Sequence, residues 1–262
     1  MKARQQTRIT PPKRAILVAL ALCLLTFLTG CVRYDVGVNF QGQYRGAITQ
    51  QIILGKQLTN FSQTEAERWL GSLERRAQNL GGKTQRSGQE LAVTIPFSSA
   101  QDLSDKFNRF FNPDVPTSQT QQPGDSLEVL QLNSHLDLTS NNFLLFERNH
   151  LHLSADLGAL GVISEQGNLL ISPGALVDIV FSLSTPLSIK TLSYPQLLPP
   201  IQASSRQLVW KLQPGQLNEI EAIFWLPSPI GIGAIAIILL VVFGYTFKYG
   251  VSGEKDAVES TV

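Results

Sequence analysis

The 262-residue chain is expected to fold as an α+β protein: a curved, mainly antiparallel β-sheet packed by two amphipathic helices, followed by one C-terminal transmembrane helix. Three observations predict this. Apolar and polar residues alternate strictly in many short segments, two segments carry apolar residues at helical spacing, and a long uncharged run lies near the C-terminus. The order is two strands, helix, strand, helix and then further strands, about eight strands in all. That order suits helices gathered on one face of an antiparallel sheet.

Val32, Tyr34, Val36, Val38 and Phe40 alternate with Arg33, Asp35, Gly37 and Asn39, the period of a half-buried strand. Gln41, Gly42 and Gln43 form a turn, and Ile48 to Leu54 return. Ala66, Trp69, Leu70, Leu73, Ala77 and Leu80 then share one helical face. Ser62 or Thr64 is the expected cap, each with a Glu three residues on, and Gly81 with Gly82 the stop. Leu91, Val93, Ile95 and Phe97 make another strand. A second helix follows, capped by Ser99 with Asp102 three residues on, and buries Ala100, Leu103, Phe107, Phe110 and Phe111. Asn112 and Pro113 end it. Residues 113–125, rich in Pro, Gln, Thr and Ser, read as a mobile loop inserted between strands of one sheet.

After the loop nearly everything reads as strand. Leu130, Leu132, Leu136 and Leu138 form one strand, and Leu151, Leu153, Ala155 and Leu157 another, with a turn at Ser140, Asn141 and Asn142. A tight hairpin about that turn would pair even positions with even ones and mismatch the second apolar set, so a β-bulge is expected near Arg148 and Asn149. Val177 to Leu183 is a strand stopped by Pro186. Leu208, Trp210 and Leu212, a turn at Pro214 and Gly215, and Ile220 to Leu226 are expected as a final hairpin.

The ends carry membrane signals. A basic stretch and an apolar run from Ala15 to Phe27 precede Leu28, Thr29, Gly30 and Cys31. The run has the length of a signal-peptide core and is short for a ~30 Å hydrocarbon layer. Leu28, Thr29, Gly30 and Cys31 resemble the bacterial lipobox, in which the Cys is lipidated on its thiol and becomes the new N-terminus. Residues 1–30 are therefore expected to be a lipoprotein signal peptide and Cys31 a lipidation site. The alternative is an uncleaved signal anchor. Cys23 would leave with the signal. Near the other end, Ile230 to Phe247 carry no charge, follow Pro227 and Pro229, and are closed by Lys248. Eighteen residues at 1.5 Å each span ~27 Å, about one bilayer core. The expected division is residues 31–226 exported, 227–248 transmembrane and 249–262 a short cytoplasmic tail. The exported part would face the periplasm or the thylakoid lumen.

Charge supports that division. Five basic residues and no acidic one precede Cys31, whereas 16 basic and 20 acidic residues from Cys31 onward leave a net −4. A folded part of that sign argues against a nucleic-acid partner. Two cysteines support neither a disulfide framework nor a Cys-rich zinc site.

With Leu28 to Cys31, the early hairpin, the Ser62–Gly82 helix and the stretch Trp210 to Gly215 ahead of one membrane helix, the layout resembles the LppM-like domain family of exported lipoproteins. Abundant Gln and the Pro/Gln-rich loop suggest its cyanobacterial branch. The resemblance implies lipid or glycolipid binding and envelope maintenance, and no catalytic motif.

The residues agree on the last point. No G-x-S-x-G elbow, P-loop or dinucleotide fingerprint occurs, and no carboxylate pair is placed by spacing alone. No cofactor is expected. His150 and His152 share the polar face of one strand, ~6.6–7 Å apart, as weak metal candidates; a solvated face is the more ordinary reading. Trp69, Phe107, Phe110 and Phe111 are candidates to line an apolar ligand cavity, against ordinary core packing. The expectation is thus a non-enzymatic, membrane-anchored domain that binds a lipid or other apolar ligand. An assembly factor for a membrane protein complex is the alternative, and a metal-dependent hydrolase on the His strand a remote one.

Overall fold

A computed structural model describes residues 32–112, 133–160 and 177–250. In chain order the elements are β1 (Val32–Gly42), β2 (Arg45–Leu54), α1 (Lys56–Asn79), β3 (Lys83–Ser87), β4 (Glu90–Phe97) and α2 (Ala100–Phe111). There follow β5 (Asn133–Phe143), β6 (Phe146–Asp156), a 3-10 turn (Gly158–Leu160), β7 (Val177–Ser184), β8 (Ile189–Thr191) and β9 (Gln202–Ala203). Last come β10 (Gln207–Lys211), β11 (Leu217–Pro227) and α3 (Pro229–Gly250). The predicted signal, the lipobox, the 113–125 loop and the tail beyond residue 250 lie outside the described residues.

The fold is α+β with mostly antiparallel strands, and the strands divide between two sheets. The first has the order β3-β4-β2-β1-β7-β10-β9, and the second β5-β6-β11-β8. Among the described strands only β1 and β7 pair in parallel. The apolar faces of the two sheets belong to one core, in which Phe40 of β1 meets Phe224 of β11 at 4.8 Å between ring centroids. Period-two alternation states that each strand buries one face. It does not state whether that face meets a helix or a second sheet. The 113–125 insertion accordingly falls between strands of different sheets, since β4 lies in the first and β5 in the second.

Two turns differ from expectation. The β5–β6 register pairs Leu136 with Leu153 and Leu138 with Leu151 without a shift, down to Phe143 opposite Phe146. The predicted bulge at Arg148 and Asn149 is absent. The turn sits at Leu144 and Leu145 rather than at Ser140 to Asn142, and moving it supplies the odd offset that the bulge was expected to provide. Leu212 to Gln216 also makes no hairpin. β10 pairs with β7 and β9, β11 with β6 and β8, and the connection crosses between sheets. Asn218 holds that crossing: its Oδ1 accepts from Gln213 N–H at 2.7 Å, and its Nδ2 donates to the carbonyls of Gln213 and Gln216, both at 3.0 Å.

The helices are placed by their ends. α1 begins at Lys56, upstream of Ser62 and Thr64, and makes no side-chain cap at Gly55. A capping sequence marks where a helix is able to start. Lys56 to Phe61 contain no Gly or Pro to prevent an earlier start. Its end follows expectation: Gly82 N–H bonds Ala77 O at 2.8 Å and Gly81 N–H bonds Gln78 O at 3.0 Å, with Gly81 at φ 73°. α2 is capped as predicted, Ser99 Oγ accepting from Asp102 N–H at 3.1 Å.

Burial works to raise the pKa of Asp102, but hydrogen bonds from Ser98 N–H, Lys106 and Ser98 Oγ outweigh it and hold the carboxyl below its ordinary 3.8. A carboxyl with a depressed folded-state value contributes stability above its unfolded pKa and loses it as pH falls through the folded one. Urea unfolding titrated into acid is expected to show this loss in wild type and a flatter profile in Asp102→Asn. Ser99→Ala is expected to cost about 1 kcal/mol at neutral pH.

α2 also covers an edge. β5 is the terminal strand of the second sheet. Asn108 Nδ2 donates to Leu136 O at 3.0 Å while its Oδ1 accepts from Leu136 N–H at 2.8 Å. Asn112 does the same to Ser134, at 2.6 and 3.1 Å. Two side-chain amides thus stand where a neighbouring strand's backbone would, and block an otherwise open edge.

Candidate functional site

The residues singled out from the sequence are dispersed. Cys31, Leu28, Thr29 and Gly30 lie outside the described residues. Phe107, Phe110 and Phe111 are buried in the core, with Phe107 and Phe111 rings 4.4 Å apart and Phe110 and Phe111 5.0 Å apart. Trp69 is half-buried on α1 and packs against that core. Phe107 and Phe111 border a cavity of about 20 Å³ together with Val36, Leu153 and Phe181. That is room for about one water molecule, against the 300–1,000 Å³ of ordinary ligand pockets.

His150 and His152 lie on the outer face of the second sheet. His150 Nε2 is 3.3 Å from Glu221 Oε2, and His152 stands in register between Asp137 and Glu221. Among the described residues no group of three or more His, Cys, Asp or Glu is arranged to hold a metal.

Arg76, in the last turn of α1, ties the two helices together. Its Nη1 donates to Phe110 O at 2.9 Å and its guanidinium lies 5.7 Å from the Phe110 ring centroid. Burial lowers its pKa, with the Tyr34 hydroxyl opposing, and burial pushes that hydroxyl well above its ordinary value against the pull of Arg76.

The most specific local geometry lies where the folded domain meets α3. Ser228 is nearly fully buried and caps the helix: its carbonyl accepts from Ile232 N–H at 3.0 Å and its Oγ from Gly231 N–H at 3.3 Å. Pro229 occupies the first helical position, where its missing N–H and fixed φ are harmless. Ser228 N–H in turn donates to Leu145 O at 2.8 Å, in the β5–β6 turn. Leu144, the residue before it, has a φ of 52°, the left-handed region usually left to Gly or Asn. Its carbonyl oxygen would lie 1.6 Å from a Cβ built on Gly231, so only glycine fits there. Strand end, turn and helix start form one joint with no linker between them.

The joint is surrounded by exposed apolar side chains. Phe143, Leu144 and Phe146 at the turn are 58%, 66% and 43% exposed, and the Phe143 ring lies 5.7 Å from that of Trp225. α3 itself is long and apolar enough from Pro229 to Lys248 to cross a membrane, and only 6% of its apolar window is buried, unlike a core helix. Sequence reading anticipated α3 but missed the tip, because its turn contains none of the usual turn residues.

The family described as "Protein of unknown function (DUF3153)" matches residues 37–249. No curated protein matches the chain. Among solved structures, the NMR structure of the Mycobacterium tuberculosis LppM protein folded domain is similar at 13% identity and a TM-score of 0.37, covering 77% of this chain and 94% of that one.

Proposed function

The chain belongs to the DUF3153 family, and from that premise we propose a non-enzymatic, membrane-anchored extracytoplasmic domain whose apolar ligand is the bilayer surface rather than an enclosed lipid. The observation that carries this reading is the joint. β11 ends at Pro227 and α3 begins at Pro229, with Ser228 bonded to both the turn and the helix. A domain built for diffusive capture would sit on a flexible tether. This one is held at a fixed height and tilt by a helix that we read as spanning the membrane. The cavity bordered by Phe107 and Phe111 has room for about one water molecule, so those two residues do not line a lipid-sized site.

Lipidation at Cys31 would add a second anchor, and one acyl chain alone holds a protein to a membrane only marginally. In cells fed labelled palmitate, wild type is expected to incorporate label and Cys31→Ser to lose it. Both are expected to stay in the membrane fraction after a carbonate wash, through α3. Protease added from the extracytoplasmic side is expected to digest the domain; protection there with digestion from the cytoplasm would reverse the orientation and sink the reading. Reproducible protein crosslinks without co-purifying lipid would favour an assembly factor instead.

A further inference from the structure

The outer face of the second sheet is graded along its length. Nearest the turn, Phe143 pairs with Phe146, and Trp225 lies beside them. One row further on, Arg148 stands between Asn141 and Trp225. Next come His150 with Thr139 and Ile223, and then His152 with Asp137 and Glu221. Rows are ~6.6–7 Å apart, so those carboxylates stand ~20 Å from the turn. Glu147, the acid nearest the turn, points to the other face, where its Oε2 accepts from Gln43 Nε2 at 2.5 Å. From Thr139 to Phe146 no residue is charged.

The joint sets the depth of this gradient. The apolar span of α3 is 20 residues. At 1.5 Å per residue it covers ~30 Å, the whole hydrocarbon layer, so its first turn lies at the layer's edge. Leu144 O is packed on Gly231, two residues into the helix and therefore ~3 Å along it. The turn thus reaches the boundary between acyl chains and headgroups. In water, a two-residue turn needing positive φ favours Asn or Gly. Here it carries Leu144, two-thirds exposed.

We propose that the β5–β6 turn is an interfacial wedge. It inserts Leu144, Phe143 and Phe146 beside Trp225 at the acyl–headgroup boundary of the leaflet α3 enters, with Arg148 at the level of the lipid phosphates. The wedge rests on the reading of α3 as membrane-spanning. Aromatic side chains belong at that depth, and a guanidinium ~7 Å further out meets phosphate, which it binds bidentately. Arg148 has no ion-pair partner among the described residues.

The test uses the full chain in phosphatidylcholine–phosphatidylglycerol vesicles. Two reporters, Leu144→Trp and Val241→Trp, are each built on a Trp225→Phe parent, and emission is compared with that parent. The expected result is quenching of Leu144→Trp by lipids brominated near the glycerol end of the acyl chain, several-fold stronger than by aqueous iodide. Val241→Trp should be quenched by lipids brominated near the chain terminus. If Val241→Trp behaves so but Leu144→Trp is quenched only by iodide, the wedge is overturned while the spanning helix stands. If Val241→Trp escapes brominated lipid altogether, both readings fall.

Discussion

Gly231→Ala is expected to pull the β5–β6 turn off the start of α3. The added Cβ would lie 1.6 Å from Leu144 O and 2.6 Å from Leu144 C, both backbone atoms that no rotamer change moves aside. Overpacking costs about 1–3 kcal/mol, and backbone obstruction belongs at the upper end. The Ser228 N–H to Leu145 O bond spans the same contact and should break with it. The measurement is hydrogen exchange at the Ser228 amide, the donor of that bond, in detergent or vesicles, with thermal unfolding alongside. Gly233→Ala is the control, since a Cβ there meets nothing within 4 Å, and alanine for glycine in a helix is mildly favourable. Equal exchange in the two variants would show that the joint is not as described. Loss of protection only in Gly231→Ala, without loss of the helix, would establish that the domain and α3 are rigidly coupled through this turn.

Removing the amides that cover β5 should cost about as much. Asn108→Ala with Asn112→Ala deletes four hydrogen bonds and uncovers the N–H and C=O groups of Ser134 and Leu136. At about 1 kcal/mol net per bond, partly offset by water reaching the edge, the expected loss is about 2–4 kcal/mol. Urea unfolding would read it. An open edge is also a template for intermolecular pairing, so light scattering should rise with concentration in the double variant. Asn108→Asp keeps the acceptor for Leu136 N–H but loses the donor to Leu136 O, and should fall between wild type and Asn108→Ala. A double variant as stable as wild type would mean that the pairing contributes nothing.

The geometry behind this pairing explains why it escaped the sequence. Residues four apart on a helix rise ~6 Å, and alternate residues on a strand advance ~6.8 Å, so Asn108 and Asn112 meet Leu136 and Ser134 in antiparallel order. The spacing of the two Asn shows only that they share a helical face. That the face lies against a strand edge depends on where residues 133–143 pass in space. The same holds for Arg76, whose acceptor, Phe110 O, is 34 positions away.

Local chemistry was legible. The periods of β1, β4, β6, β7 and β11, the cap at Ser99, the stop at Gly81 and Gly82, and the apolar run that became α3 follow from patterns carried within a few residues. The choice among turns was less so. Ser140, Asn141 and Asn142 are better turn residues than Leu144 and Leu145, yet they lie within β5. A polar tripeptide favours a turn only through local hydrogen bonds of its side chains to the nearby backbone. Shifting the turn keeps Leu136, Leu138, Leu151 and Leu153 on one buried face, each worth ~1.5–3 kcal/mol. Burial outweighs turn propensity, and the strands extend past their most turn-like residues.

By itself, then, the sequence determined which segments are strands and helices, which faces they bury, and that one helix is apolar enough to leave water, because each of these depends on side chains close together in the chain. Only the tertiary structure decided that the strands form two sheets, that Asn108 and Asn112 close one edge, and that an apolar turn at Leu144 and Leu145 lies against Gly231. Those depend on which buried faces and backbone groups find one another across long stretches of chain, and alternation or composition is the same whichever partner they find.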